Sequence, residues 1–68
     1  MDMKELRRQA GLKAEEVAVE LGVSRSTVGN WEQGKAIPHF LMVSGLLKLY
    51  GCTFEQLDEA VRETQGLS

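Results

Sequence analysis

The chain has 68 residues, 43% of them hydrophobic and 26% charged, a net charge of −2 and a single cysteine. That length admits one small domain and excludes a multidomain enzyme, a channel or a long repeat array, and no apolar run is long enough to span a bilayer. One cysteine excludes an internal disulfide and a multi-cysteine zinc site, so a fold this small must rest on dense helix packing and, as we expect, on self-association.

Met1-Asp2-Met3-Lys4-Glu5 lacks the layout of a secretory signal, so a cytoplasmic location is expected. One proline, and glycines that fall mostly between periodic apolar segments, predict an all-helical domain. Met3, Leu6 and Ala10 share a face of a first helix that stops at Gly11. Leu12 points inward, and Val17, Ala18 and Leu21 form the inner face of a second helix. Gly22-Val23-Ser24 breaks the pattern, and Ser24 is a good N-cap for a third helix with Val28 and Trp31 inside and Gly34 at its end.

Pro38 then sets the chain direction for a fourth helix, on which Phe40, Val43, Leu47 and Tyr50 share an inner face before a left-handed stop at Gly51. Thr53-Phe54-Glu55-Gln56 has the form of a capping box, opening a fifth helix with Phe54, Leu57 and Val61 inward. The reading is five helices and one core over residues 1–64, with residues 65–68 a frayed tail.

Charge is unevenly spread. Lys4, Arg7, Arg8, Lys13, Arg25 and Lys35 all lie in the first 35 residues, matched there by Asp2, Glu5, Glu15, Glu16, Glu20 and Glu32. The rest of the chain carries only Lys48 and Arg62 against four acids, so a polyanion would be met by the first half. The pair formed by the second and third helices must cross steeply over a three-residue turn. Ala18 is small where they approach, Gly22 supplies the backbone freedom, and Val23 fills the gap beneath. This leaves Arg25, Ser26, Gly29 and Asn30 facing solvent. Those types suit the floor of a DNA major groove: arginine bonds guanine bidentately, asparagine does the same to adenine, and serine bonds several base edges.

The run Ala14-Glu15-Glu16-Val17-Ala18-Val19-Glu20-Leu21-Gly22-Val23-Ser24-Arg25-Ser26-Thr27-Val28-Gly29-Asn30-Trp31-Glu32-Gln33-Gly34-Lys35 resembles the helix-turn-helix of the lambda-repressor/Cro-like (XRE) family. The likeness extends back through Lys4-Glu5-Leu6-Arg7 and Ala10-Gly11-Leu12 and forward through Pro38 and Leu46–Gly51 to Phe54 and Leu57. It implies a five-helix, all-α DNA-binding domain with its helix-turn-helix at the second and third helices. By position it implies base contacts from Arg25, Ser26 and Asn30, and phosphate contacts near Thr27, Gln33, Lys35 and His39. It also implies an ion pair between Arg7 and Glu32, which would withdraw Arg7 from DNA. The chain departs from the family at Lys13 and Ala14, where Ser or Thr followed by Gln is usual. The second helix therefore has a weaker cap and lacks one phosphate contact, for which Lys13 offers a flexible charge instead.

Trp31 reads as core and Cys52 as a buried small hydrophobe rather than a redox switch. A plain surface residue is as good a reading of His39 as a phosphate ligand. A His39/Cys52 nucleophilic pair lacks an orienting third group and an oxyanion loop, so no catalytic residue, metal or cofactor is expected. On the fourth helix Leu41, Met42, Gly45 and Leu49 lie side by side, off the inner face. Either this helix sits centrally among the other four or, as we expect, part of the stripe joins the fifth helix and the Gly51-Cys52 corner in a homodimer contact. The functional expectation is a sequence-specific transcriptional regulator, a repressor binding an inverted-repeat operator in double-stranded DNA as a dimer. The alternatives are an antitoxin with a toxin partner, or a protein-interaction module that keeps the fold without DNA.

Overall fold

The computed structural model describes residues 1–66, and these form five α-helices without a strand: α1 (Met3–Gln9), α2 (Ala14–Leu21), α3 (Arg25–Glu32), α4 (Phe40–Tyr50) and α5 (Phe54–Thr64). Side chains cap most of the starts. Asp2 and Glu5 form a reciprocal box at α1, with Glu5 N–H donating to Asp2 Oδ1 at 2.9 Å and Asp2 N–H to Glu5 Oε1 at 2.8 Å. Thr53 and Gln56 form the expected box at α5. At α2 only half of such a box exists. Glu16 accepts from the Lys13 backbone N–H at 2.8 Å, but a lysine side chain has no acceptor to return.

The core is one cluster built from Met3, Leu6, Ala14, Val17, Ala18, Val28, Trp31, Leu46, Tyr50, Leu57 and Ala60. α2 lies across α3, α1 packs on α5, and α4 reaches both α1 and α2. Two helix ends are locked together where α3 finishes. Gly34 has φ +75°, and a Cβ there would stand 2.7 Å from the Thr64 carbonyl oxygen, so only glycine both turns the chain and lets α5 approach. From the other side Thr64 Oγ1 accepts the Met3 N–H at 2.9 Å and donates to the Ala60 carbonyl at 2.8 Å.

Two expectations need correction, the inner faces of α4 and of α5. Phe40 is 83% exposed and Phe54 58%, because each opens its helix and projects past the end of the core. The inner side of α4 is centred on Leu46 and Tyr50, with Val43 and Leu47 half-buried at its flank, and on α5 Ala60 joins Leu57 inside while Val61 is half-buried. At the start of the expected tail the Gln65 and Gly66 N–H groups donate to the Val61 and Glu63 carbonyls at 2.9 and 3.1 Å. The rest of the expected tail, residues 67–68, lies outside the described residues.

Candidate nucleic-acid interface

The site begins with a turn. Gly22 takes φ +69° and the Val23 N–H returns to the Ala18 carbonyl at 3.0 Å, closing α2 and redirecting the chain within three residues. Ser24 Oγ accepts the Thr27 N–H at 3.1 Å and starts α3. Val28 and Trp31 then bury one side of α3 and leave Arg25, Ser26 and Asn30 on the solvent side. At the far end the Lys35 and Ala36 N–H groups donate to the Asn30 carbonyl at 2.9 and 3.3 Å, tying the segment after α3 to the helix.

The Arg7–Glu32 pair props this helix from behind. Arg7 Nε and Nη2 donate to the two Glu32 carboxylate oxygens at 2.7 and 3.0 Å, while Nη1 donates to the Leu12 carbonyl at 3.0 Å. One guanidinium thus joins α1, the α1–α2 turn and the end of α3. The hydrogen bond to Glu32 pushes the Arg7 guanidinium above its already high ordinary range. Tyr50 lies close enough to feel both charges. Burial first, and then the Glu32 carboxylate, push its phenol up to about 12. Its hydroxyl finds no hydrogen-bond partner among the described residues.

The residues expected at DNA fall into distinct situations. Ser26 and the Asn30 amide make no side-chain hydrogen bond among the described residues, so their donors and acceptors are free. Arg25 is exposed, with Nε donating to Glu15 at 3.0 Å. Thr27 is half-buried and its hydroxyl shares a 2.9 Å hydrogen bond with Ser24. His39 caps α4, its Nδ1 accepting the Leu41 N–H at 3.1 Å, which places the ring proton on Nε2 and leaves that N–H outward. Thr27, Asn30 and His39 line one cleft of about 440 Å³ between α3 and the start of α4, whereas Gln33, Lys35 and Lys13 are exposed at the ends of α3 and the start of α2.

The expected dimer residues on α4 line neighbouring clefts along it, with Gly45 and Leu49 sharing a groove with Glu20, Leu21 and Lys48. Leu41 and Met42 border the cleft of Thr27, Asn30 and His39. Gly45 is small for an internal reason, since a Cβ there would lie 2.8 Å from Leu21 Cδ2. Leu49 lines a groove of about 370 Å³ with Leu12, Val19 and the α2 acids Glu15, Glu16 and Glu20. Cys52 is half-buried beside the core, which pushes its thiol pKa up by desolvation. Leu41 is itself among the exposed apolar side chains, with Val19, Ile37, Phe40 and Phe54, and Ile37 and Phe54 border a small cleft floored by Val43, Leu57 and Val61.

A family model for helix-turn-helix domains matches residues 3–57, from the start of α1 into α5. The chain belongs to that family, the XRE or lambda-repressor-like helix-turn-helix domains. The five helices of the described residues, packed around one core, are this fold. Membership makes the chain a DNA-binding helix-turn-helix domain of a regulatory family, with α2 and α3 as the defining pair. No curated protein and no solved structure matches the chain significantly. Among the described residues no helix is long and apolar enough to cross a membrane.

Reading the sequence alone missed Glu15 as a neighbour of Arg25. The two are ten positions apart across a turn, a separation that no helical periodicity marks.

Proposed function

We propose that the chain is a sequence-specific transcriptional regulator that inserts α3 into the major groove and acts as a repressor by occupying an operator. The observation that carries this reading is the division of α3, with Val28 and Trp31 buried and Arg25, Ser26 and Asn30 presented outward on a helix fixed at both ends. In this reading Arg25, Ser26 and Asn30 meet base edges. Thr27, Gln33, Lys35, Lys13 and the His39 Nε2–H meet phosphates.

Half-sites on DNA lie about 34 Å apart per helical turn, beyond the 30 Å longest extent of this molecule, so an inverted repeat calls for two copies. The exposed apolar side chains Phe40 and Leu41 at the start of α4, with Ile37 and Phe54, offer the second copy its contact. The same side chains also suit a toxin, and a heteromeric complex purified in place of the homodimer would favour the antitoxin reading.

Selection of duplexes from a random pool, with stoichiometry measured on the selected site, tests the proposal. An inverted repeat bound by two chains is expected, and failure to enrich any site at low salt would overturn the reading in favour of a protein-interaction module. On the selected site Arg25→Ala should weaken binding by about 1–3 kcal/mol and relax one base pair. Lys35→Ala should weaken all sequences alike and flatten the salt dependence.

A further inference from the structure

The Arg25 side chain has one partner and one close approach. Its Nε donates to Glu15 Oε1 at 3.0 Å from across the turn, and a Cβ added to Gly29 would come within 3.1 Å of its Nη1. The guanidinium therefore lies back along α3, over the position on that face that carries no side chain. Glu15 has no other hydrogen bond among the described residues. An unrestrained arginine loses much rotamer freedom when it bonds a base. A carboxylate on Nε sets the plane of the guanidinium beforehand and leaves its terminal N–H edge for the O6 and N7 of guanine. The same contact offsets a negative charge that would otherwise stand unpaired beside a polyanion.

We infer that Glu15 and Gly29 are positioning residues for base recognition: Glu15 orients the Arg25 guanidinium through Nε, Gly29 leaves the space it occupies, and discrimination at the Arg25 base pair depends on both. This rests on the reading of Arg25 as a base-contacting residue given above.

The test measures binding of the full chain to its selected site and to that site with single base pairs exchanged, for wild type and the variants Arg25→Ala, Glu15→Ala, Glu15→Gln and Gly29→Ala. Arg25→Ala identifies the base pair concerned by losing discrimination there. Glu15→Ala and Gly29→Ala should each lower discrimination at that pair about three- to tenfold, part of what a bidentate contact supplies, and leave other pairs unchanged. Glu15→Gln keeps an acceptor for Nε and should retain most of it. Both Glu15 variants lose a charge and should bind random duplex more tightly, which separates repulsion from positioning. Gly29→Ala should melt at or above the wild-type temperature, since alanine is the better helix former, so its loss of discrimination is not unfolding. Wild-type discrimination in Glu15→Ala and Gly29→Ala, with Arg25→Ala relaxed, overturns the inference and leaves the proposed function standing. Loss in one of the two alone overturns the role of the other. An Arg25→Ala variant that relaxes no base pair overturns the proposed function itself, and the inference with it.

Discussion

Two arginine–glutamate pairs bridge helices in this chain, and their surroundings are opposite. The Arg7 and Glu32 side chains are 11% and 9% exposed and joined by two hydrogen bonds, with a third from Arg7 to a backbone carbonyl. The Arg25 and Glu15 side chains are 57% and 68% exposed and share one. The first pair holds helices together, because losing one partner strands the other in a place water hardly reaches. The second is screened by solvent and contributes little to folding, and it engages only Nε, so the terminal N–H groups of its arginine stay open to another acceptor. The same chemistry thus serves the scaffold at one end of α3 and, in the proposed reading, the recognition surface at the other.

The largest effect expected from breaking this contrast is on Arg7. Arg7→Ala should destabilise the domain by about 3–5 kcal/mol, whereas Glu15→Ala should change stability by less than about 0.5 kcal/mol. Denaturant unfolding of both variants checks this, and equal losses would mean that burial does not separate the pairs.

A smaller effect is expected from Tyr50, which lies within reach of the charges of the part-buried Arg7–Glu32 pair. Its folded-state pKa is raised to about 12 from an ordinary value of 10.0, so the stability linked to it is complete below pH 10 and is lost as pH rises toward 12. The loss should approach about 2–3 kcal/mol in wild type and vanish in Tyr50→Phe. Near neutral pH Tyr50→Phe should be as stable as wild type or more so, because the hydroxyl it removes has no partner among the described residues. Paired pH titrations of unfolding check both statements.

The smallest effect concerns the start of α3. Ser24→Ala should lower stability by about 1 kcal/mol through loss of the cap on Thr27. Because that cap lies beside Arg25, the variant should also weaken binding to the selected site. Binding unchanged at full occupancy of the folded state would show that the first turn of α3 is held by α2 alone.

Much of this molecule was legible from local signals. The glycines after α2, α3 and α4 and the caps at Ser24 and Thr53 act within a few residues, so helix limits and the α2–α3 turn follow from the chain itself. The outward face of α3 was legible too, since Val28 and Trp31 leave only one side for Arg25, Ser26 and Asn30.

What periodicity cannot supply is the direction in which a helix meets its neighbours. It gives the angle of each side chain about its own axis, and α4 is apolar around so much of its circumference that several inner faces are equally consistent with it. Only the packing of α1 and α2 against α4 chose Leu46 for the core and left Phe40 outside. Only the α2–α4 approach gave Gly45 an internal role against Leu21. Likewise the crossing of α2 and α3, not any spacing along the chain, brought Glu15 to Arg25. Turns and caps are short-range and are written in sequence, whereas neighbours across an interface are set by how rigid helices fill space together.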